Sequence, residues 1–159
     1  HKAIRRQRQM CIRDSQIAMA SVVHRNPKEV KSYFTSDAPN DFLFVTDKER
    51  LQQVLINFLT NAEKHTVRGE IHLHCSLTEN PGKITFSVTD TGPGVPADQA
   101  DYVFDRFSKL DEFKQGTGLG LNICSIIAGR LKGEVKLDKS YTKGARFLFI
   151  LPLDNVPDS

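Results

Sequence analysis

Three clusters of residues in this chain have types and spacing that could do chemistry. The first is Asp90-Thr91-Gly92-Pro93-Gly94-Val95-Pro96, a carboxylate followed by a turn rich in glycine and proline. Residues Ile84-Thr85-Phe86-Ser87-Val88 alternate apolar and polar, so Asp90 is expected where a half-buried strand gives out. Gly92 and Gly94 have no Cβ, so the backbone can take positive φ and admit something flat, while Pro93 and Pro96 stiffen the path. An acceptor beside bare backbone suits the exocyclic amine of a purine, although an ordinary Asp/Gly/Pro turn uses the same residues. The second cluster is Asn57, Asn61 and Lys64, which line one edge of a helix. Two amides offer oxygen to a hard cation and the ammonium offers charge to a phosphate; a solvated helix flank has the same spacing. The third is Gly116-Thr117-Gly118-Leu119-Gly120-Leu121, running straight into an apolar helix. Glycines there leave N–H groups free to face an anion. No Gly-Lys-Ser/Thr follows, and a polar segment rather than a strand precedes, so neither a P-loop nor a dinucleotide fingerprint fits. His72 and His74 share a strand face, but Cys75 points away and no third ligand is near, which favours a solvent-facing strand over a metal site.

These clusters need elements to hold them. Thr46-Asp47-Lys48-Glu49 reads as a capping-box start, and Leu51, Val54, Leu55, Phe58, Leu59 and Ala62 recur at helical spacing on one core-facing stripe. Residues 28–36 and 42–46 read as strands joined across 36–41 in a β-hairpin. Residues 71–77 and 84–89 form a second strand pair around the turn at 79–82. Residues 98–102 make a short polar helix or turn, Phe104 and Phe107 stand three apart, and 108–115 is a charged, lid-like segment. A helix over 122–131 places Ile123, Ile126, Ile127 and Leu131 on one face, and strands at 134–137 and 146–151 close a hairpin. Residues 1–26 have weak periodicity, with 17–23 open between helix and strand.

The whole-chain figures bound the class. A length of 159 residues with 39% hydrophobic content suits one soluble domain with a real core. No apolar run approaches the roughly 18–20 residues of a membrane span, and no apolar h-region follows the basic start. Cys11, Cys75 and Cys124 have no framework or metal-site spacing, which points to reduced thiols and a cytoplasmic setting. A net charge of +3 gives no argument for nucleic acid. Lys2, Arg5, Arg6, Arg8 and Arg13 make residues 1–13 basic, as in a solvated arm.

In order, Asn57-x-x-x-Asn61-Ala62-x-Lys64-His65-Thr66, Asp90-x-Gly92-x-Gly94, Phe104-x-x-Phe107 and Gly116-x-Gly118-Leu119-Gly120-Leu121 resemble the N, G1, F and G2 boxes of sensor histidine kinases. The matching part is their catalytic, ATP-binding domain, in the wider group with gyrase, Hsp90 and MutL. Phe104-Asp105-Arg106-Phe107-Ser108-Lys109-Leu110 resembles the sensor kinases of Bacteroidetes. The resemblance implies a two-layer α/β sandwich of the Bergerat type, a mixed sheet of about five strands packed on one face by about three helices. It makes residues 27–153 the ATP-binding domain, 1–26 a partly disordered linker or the end of an upstream helical hairpin, and 154–159 a tail.

Carried onto this chain, the resemblance makes Asp90 the acceptor for the adenine amine, with Gly92 and Gly94 letting the base approach. Asn61 becomes the direct ligand of Mg²⁺, with Asn57 beside it, and Lys64 and His65 face phosphate and sugar. Gly116, Thr117, Gly118, Leu119 and Gly120 cradle phosphate oxygens, Arg106, Lys109 or Lys114 adds charge from the lid, and Phe104 and Phe107 pack either in the lid or as plain core aromatics. In hydrolysing relatives the position of Asn57 holds a glutamate base; an amide has no useful basicity, so the implied chemistry is phosphoryl transfer to an imidazole. The imidazole is expected on a separate dimerisation domain, since His24-Arg25-Asn26-Pro27 lacks the acid of the family's acceptor motif. A catalytic piece of a larger sensor, free or membrane-anchored, is therefore expected: a monomer that binds Mg·ATP, with a response regulator as indirect partner. The alternatives are a catalytically silent nucleotide-binding module, or a hydrolysing or serine-kinase relative of the same fold.

Overall fold

The strand that ends in Asp90 lies in the middle of the sheet. The computed structural model describes residues 8–23, 30–39, 41–105 and 120–153. Along these, the chain forms β1 (Arg8–Cys11), α1 (Ile12–Val23), β2 (Val30–Ser36), β3 (Leu43–Thr46), α2 (Lys48–His65), β4 (Gly69–Ser76) and β5 (Lys83–Asp90). A 3₁₀ turn (Ala100–Tyr102), α3 (Leu121–Arg130), β6 (Glu134–Leu137) and β7 (Arg146–Pro152) follow. The main sheet has the order β2-β4-β5-β7-β6, with β2 parallel to β4 and the other neighbours antiparallel. It is a mixed five-stranded sheet with the helical layer on one face, the two-layer arrangement that was expected.

Alternation decides which side chains meet the helices. Ile71, Leu73 and Cys75 of β4, Ile84, Phe86 and Val88 of β5, and Phe147, Phe149 and Leu151 of β7 form the sheet's half of the core. Facing them, Leu51, Val54, Leu55, Phe58, Leu59 and Ala62 of α2 are all buried, as their spacing predicts. Phe58 sits with its ring centroid 5.5 Å from that of Phe147. Asp47 rather than Thr46 caps α2, its carboxylate accepting from Arg50 N at 3.2 Å. Residues 84–88 of β5 are buried on both faces rather than half-buried, because Thr85 and Ser87 lie in register beside Ile150 and Leu148.

Three further expectations are corrected. Residues 28–46 do not form a hairpin: β2 pairs with β4, and β3 pairs antiparallel with β1 in a separate two-stranded sheet. The cause lies just after β2. Asp37 N donates to Cys75 O, and the Asp37 carboxylate accepts from Ser76 Oγ, Leu77 N and Thr78 Oγ1, which binds the chain to the end of β4 instead of turning it back. Second, residues 8–23 are not a linker outside the domain. Met10, Ile12, Ala18, Met19 and Val22 join the core, and α1 packs on α2. Third, the buried face of α3 is Leu121, Cys124, Ile127 and Ala128; Ile126 is 50% exposed. The α3 stripe includes a cysteine and an alanine, which a search for large aliphatics passes over.

Candidate nucleotide site

The last two turns of α2 bring the predicted residues together. Asn57 and Asn61 are only 3% and 2% exposed, so the amide row is no solvated flank, while Lys64 one turn further on is exposed. Asn57 Nδ2 donates to Gly120 O at 3.0 Å and to Cys124 Sγ at 2.9 Å, joining α2 to the start of α3. Asn61 Oδ1 is buried with no hydrogen-bond partner among the described residues. A buried carbonyl oxygen left unmatched costs free energy unless something else binds it.

The glycine turn meets the C-terminal end of the same helix. Asp90, at the end of β5 and 3% exposed, accepts on Oδ1 from Gly92 N at 2.9 Å and from Ala145 N at 3.3 Å. Burial pushes its carboxyl above the ordinary range, against those two N–H groups and the nearby His65. Gly92 is not in the left-handed region; it is needed because a Cβ there would lie 2.6 Å from His65 O. Gly94 does take positive φ, at 77°, and a Cβ would lie 2.9 Å from Gly144 O. Bare backbone beside a buried carboxylate is thus present as expected. Behind the turn, a cleft of about 330 Å³ runs between residues 93–101 and 137–144, with Lys139 and Asp101 paired across it; neither Asp90 nor α2 lines it.

Gly120 ends the glycine run as the first residue before α3, whose start has no side-chain cap. Phe104 belongs to the core edge, its ring 5.9 Å from Phe147 and edge-on to it, and Asn122 Nδ2 donates to Phe104 O at 3.1 Å. Phe107, Lys109, Gly116, Thr117, Gly118 and Leu119, with Arg106, Lys114 and His24, lie outside the described residues. Sequence reasoning missed Cys124, Ala145 and Tyr141. Tyr141 Oη donates to Asp90 O at 3.5 Å, and nothing in a lone Tyr or Ala signals such a contact. His72 and His74 both hydrogen-bond Thr35 Oγ1, and Tyr33 stacks on His72. Among the described residues no group of three His, Cys, Asp or Glu side chains is placed to hold a metal, and no helix is long and apolar enough to cross a membrane.

Comparison with known proteins gives one family and one fold. The family model for histidine kinase-, DNA gyrase B- and HSP90-like ATPases matches residues 46–155. The chain is 40% identical over 121 residues to the adaptive-response sensory kinase SasA of Nostoc sp. strain PCC 7120, covering 74% of this chain and 30% of SasA. It is 39% identical over 111 residues to the sensor protein SrrB of Staphylococcus aureus, covering 67% of this chain and 19% of SrrB. The nucleotide-free catalytic domain of the histidine kinase ThkA superposes with a TM-score of 0.76 at 24% identity, over 92% of this chain and 96% of that one. Full-length ShkA in complex with AMPPNP gives a TM-score of 0.67 at 34% identity, over 88% of this chain and 28% of that one.

Proposed function

This chain belongs to the histidine kinase-, DNA gyrase B- and HSP90-like ATPase family and is homologous to sensor histidine kinases; from that premise we propose that it binds Mg·ATP and passes the γ-phosphoryl group to a histidine on a separate dimerisation domain. The observation that carries this reading is the buried Asp90 carboxylate. Both of its backbone hydrogen bonds end on Oδ1, which leaves Oδ2 for a ligand's amine at a turn stripped of side chains by Gly92 and Gly94. The adenine amine is that donor.

The unpartnered Asn61 Oδ1 is a hard oxygen of the kind Mg²⁺ takes, so the residues present fit the ion. Asn61 would hold it, with Asn57 close by, and the bound ion would neutralise phosphate charge. The exposed Lys64 and neighbouring His65 face the phosphate and sugar side, and the run 116–120 with the start of α3 offers N–H donors to phosphate oxygens. In-line transfer then rests on positioning and charge neutralisation. Asn57 gives no general base for water, and its amide hydrogens are spent on α3, so hydrolysis has no support here. The chain spans 30% of SasA, and the histidine-bearing domain and response regulator belong to the remainder of the signalling system. By itself the domain is a monomer.

Calorimetric titration of ATP, with and without Mg²⁺, tests this on the wild type and Asp90→Asn. Affinity should fall by about 1.5–3 kcal/mol in the variant, as for a lost hydrogen bond to a charged group. Equal affinities, or no binding by the wild type, would reject the site.

A further inference from the structure

Resting on the nucleotide reading of this site, we propose that Cys124 is a positioning residue for phosphoryl transfer: with the Gly120 carbonyl it takes both amide hydrogens of Asn57 and so fixes which end of that carboxamide faces the ligand. Asn57 is buried where α2 meets α3, with Nδ2 at 3.0 Å from Gly120 O and 2.9 Å from Cys124 Sγ. A backbone carbonyl can only accept, so the nitrogen end of the amide must be the end that faces it. Turning the amide over would set its oxygen against Gly120 O, acceptor against acceptor. Two N–H groups meet two acceptors, and the polar atom left to Asn57 is Oδ1.

That oxygen lies one helical turn from the unpartnered Oδ1 of Asn61. Gly120 O also accepts from Ile123 N at 3.1 Å and Cys124 N at 3.3 Å, so the carbonyl that Asn57 grips is the one that starts α3. The same contact therefore sets the first turn of α3 relative to the Asn57–Asn61 edge. Cys124 sits on the buried face of α3, where an apolar residue of similar size would fill the space equally well. What such a residue would lack is the acceptor.

The test compares the wild type with Cys124→Ser, which keeps an acceptor, and Cys124→Val, which keeps the bulk without one. Three readouts are taken: thermal midpoint, calorimetric affinity for ATP with and without Mg²⁺, and hydrogen exchange of the Asn57 side-chain amide by NMR. Cys124→Val should bind Mg·ATP about tenfold more weakly, the scale expected when a buried donor loses its acceptor, and its Asn57 amide should exchange faster. Cys124→Ser should restore both. Val equal to the wild type, or Ser and Val impaired alike, would reduce the cysteine to packing and overturn the proposal. If the wild type binds no ATP, the nucleotide reading fails on its own account and the amide decides: protection lost in Val alone upholds the clamp, and equal protection in all three removes it.

Discussion

Burial raises the Asp90 carboxyl, and the sign of that shift makes a statement about stability. A carboxyl whose pKa is higher folded than unfolded binds its proton more readily in the native state, so its contribution is fully present below the ordinary value of 3.8 and is lost as pH rises through the folded value. Above its folded value the ionised Asp90 is therefore a cost that the fold carries. Asp90→Asn should melt higher than the wild type at pH 7 while losing ATP affinity, and the gap in midpoint should shrink as pH is lowered towards 4, which melts of both proteins across that range will show. ATP affinity of the wild type should move the other way, rising as Asp90 ionises. The place of Asp90 at a strand's end and the positive φ of Gly94 were legible in sequence because residue type and a strand's end are local information. The partner of Asn57 was not, since Cys124 lies 67 positions away and reads as one more apolar helix residue.

Secondary elements divide along the same line. The spacing of apolar residues in α2 names its buried stripe in advance, because a long helix packed on a sheet has one face to bury. Phe58 is the centre of that stripe, fully buried against Phe147. Phe58→Ala should cost about 3–5 kcal/mol in denaturant unfolding, with the midpoint moving and the slope unchanged. The strands themselves were readable from alternation, but their partners were not. A turn-rich link between β2 and β3 looks like a hairpin until the Asp37 carboxylate is seen to grip residues 76–78, about forty positions on. Parallel pairing of β2 with β4 across the whole of α2 leaves no local trace.

Across the molecule, the first described residues are structural. The family match begins at residue 46, yet β1, α1 and the start of β3 come before it and supply Met10, Ile12, Ala18, Met19, Val22 and Phe44 to the core. At about 1.5–3 kcal/mol for each of the large side chains among these, their removal is comparable with the whole 5–15 kcal/mol or so by which a domain is stable. A chain of residues 46–155 should show no cooperative thermal transition, whereas the full chain should; cooperative melting of the short form would contradict this. The contact of Tyr141 with the Asp90 carbonyl carries one more consequence, an optical one. With three tyrosines and no tryptophan, the chain emits in the ultraviolet through phenols alone. Tyr33 is stacked on His72 and Tyr102 is 59% exposed, which leaves Tyr141 as the phenol in contact with Asp90. Tyrosine emission should therefore shift in intensity as ATP fills the site and stay constant in Tyr141→Phe, so the protein carries its own titration signal without a label.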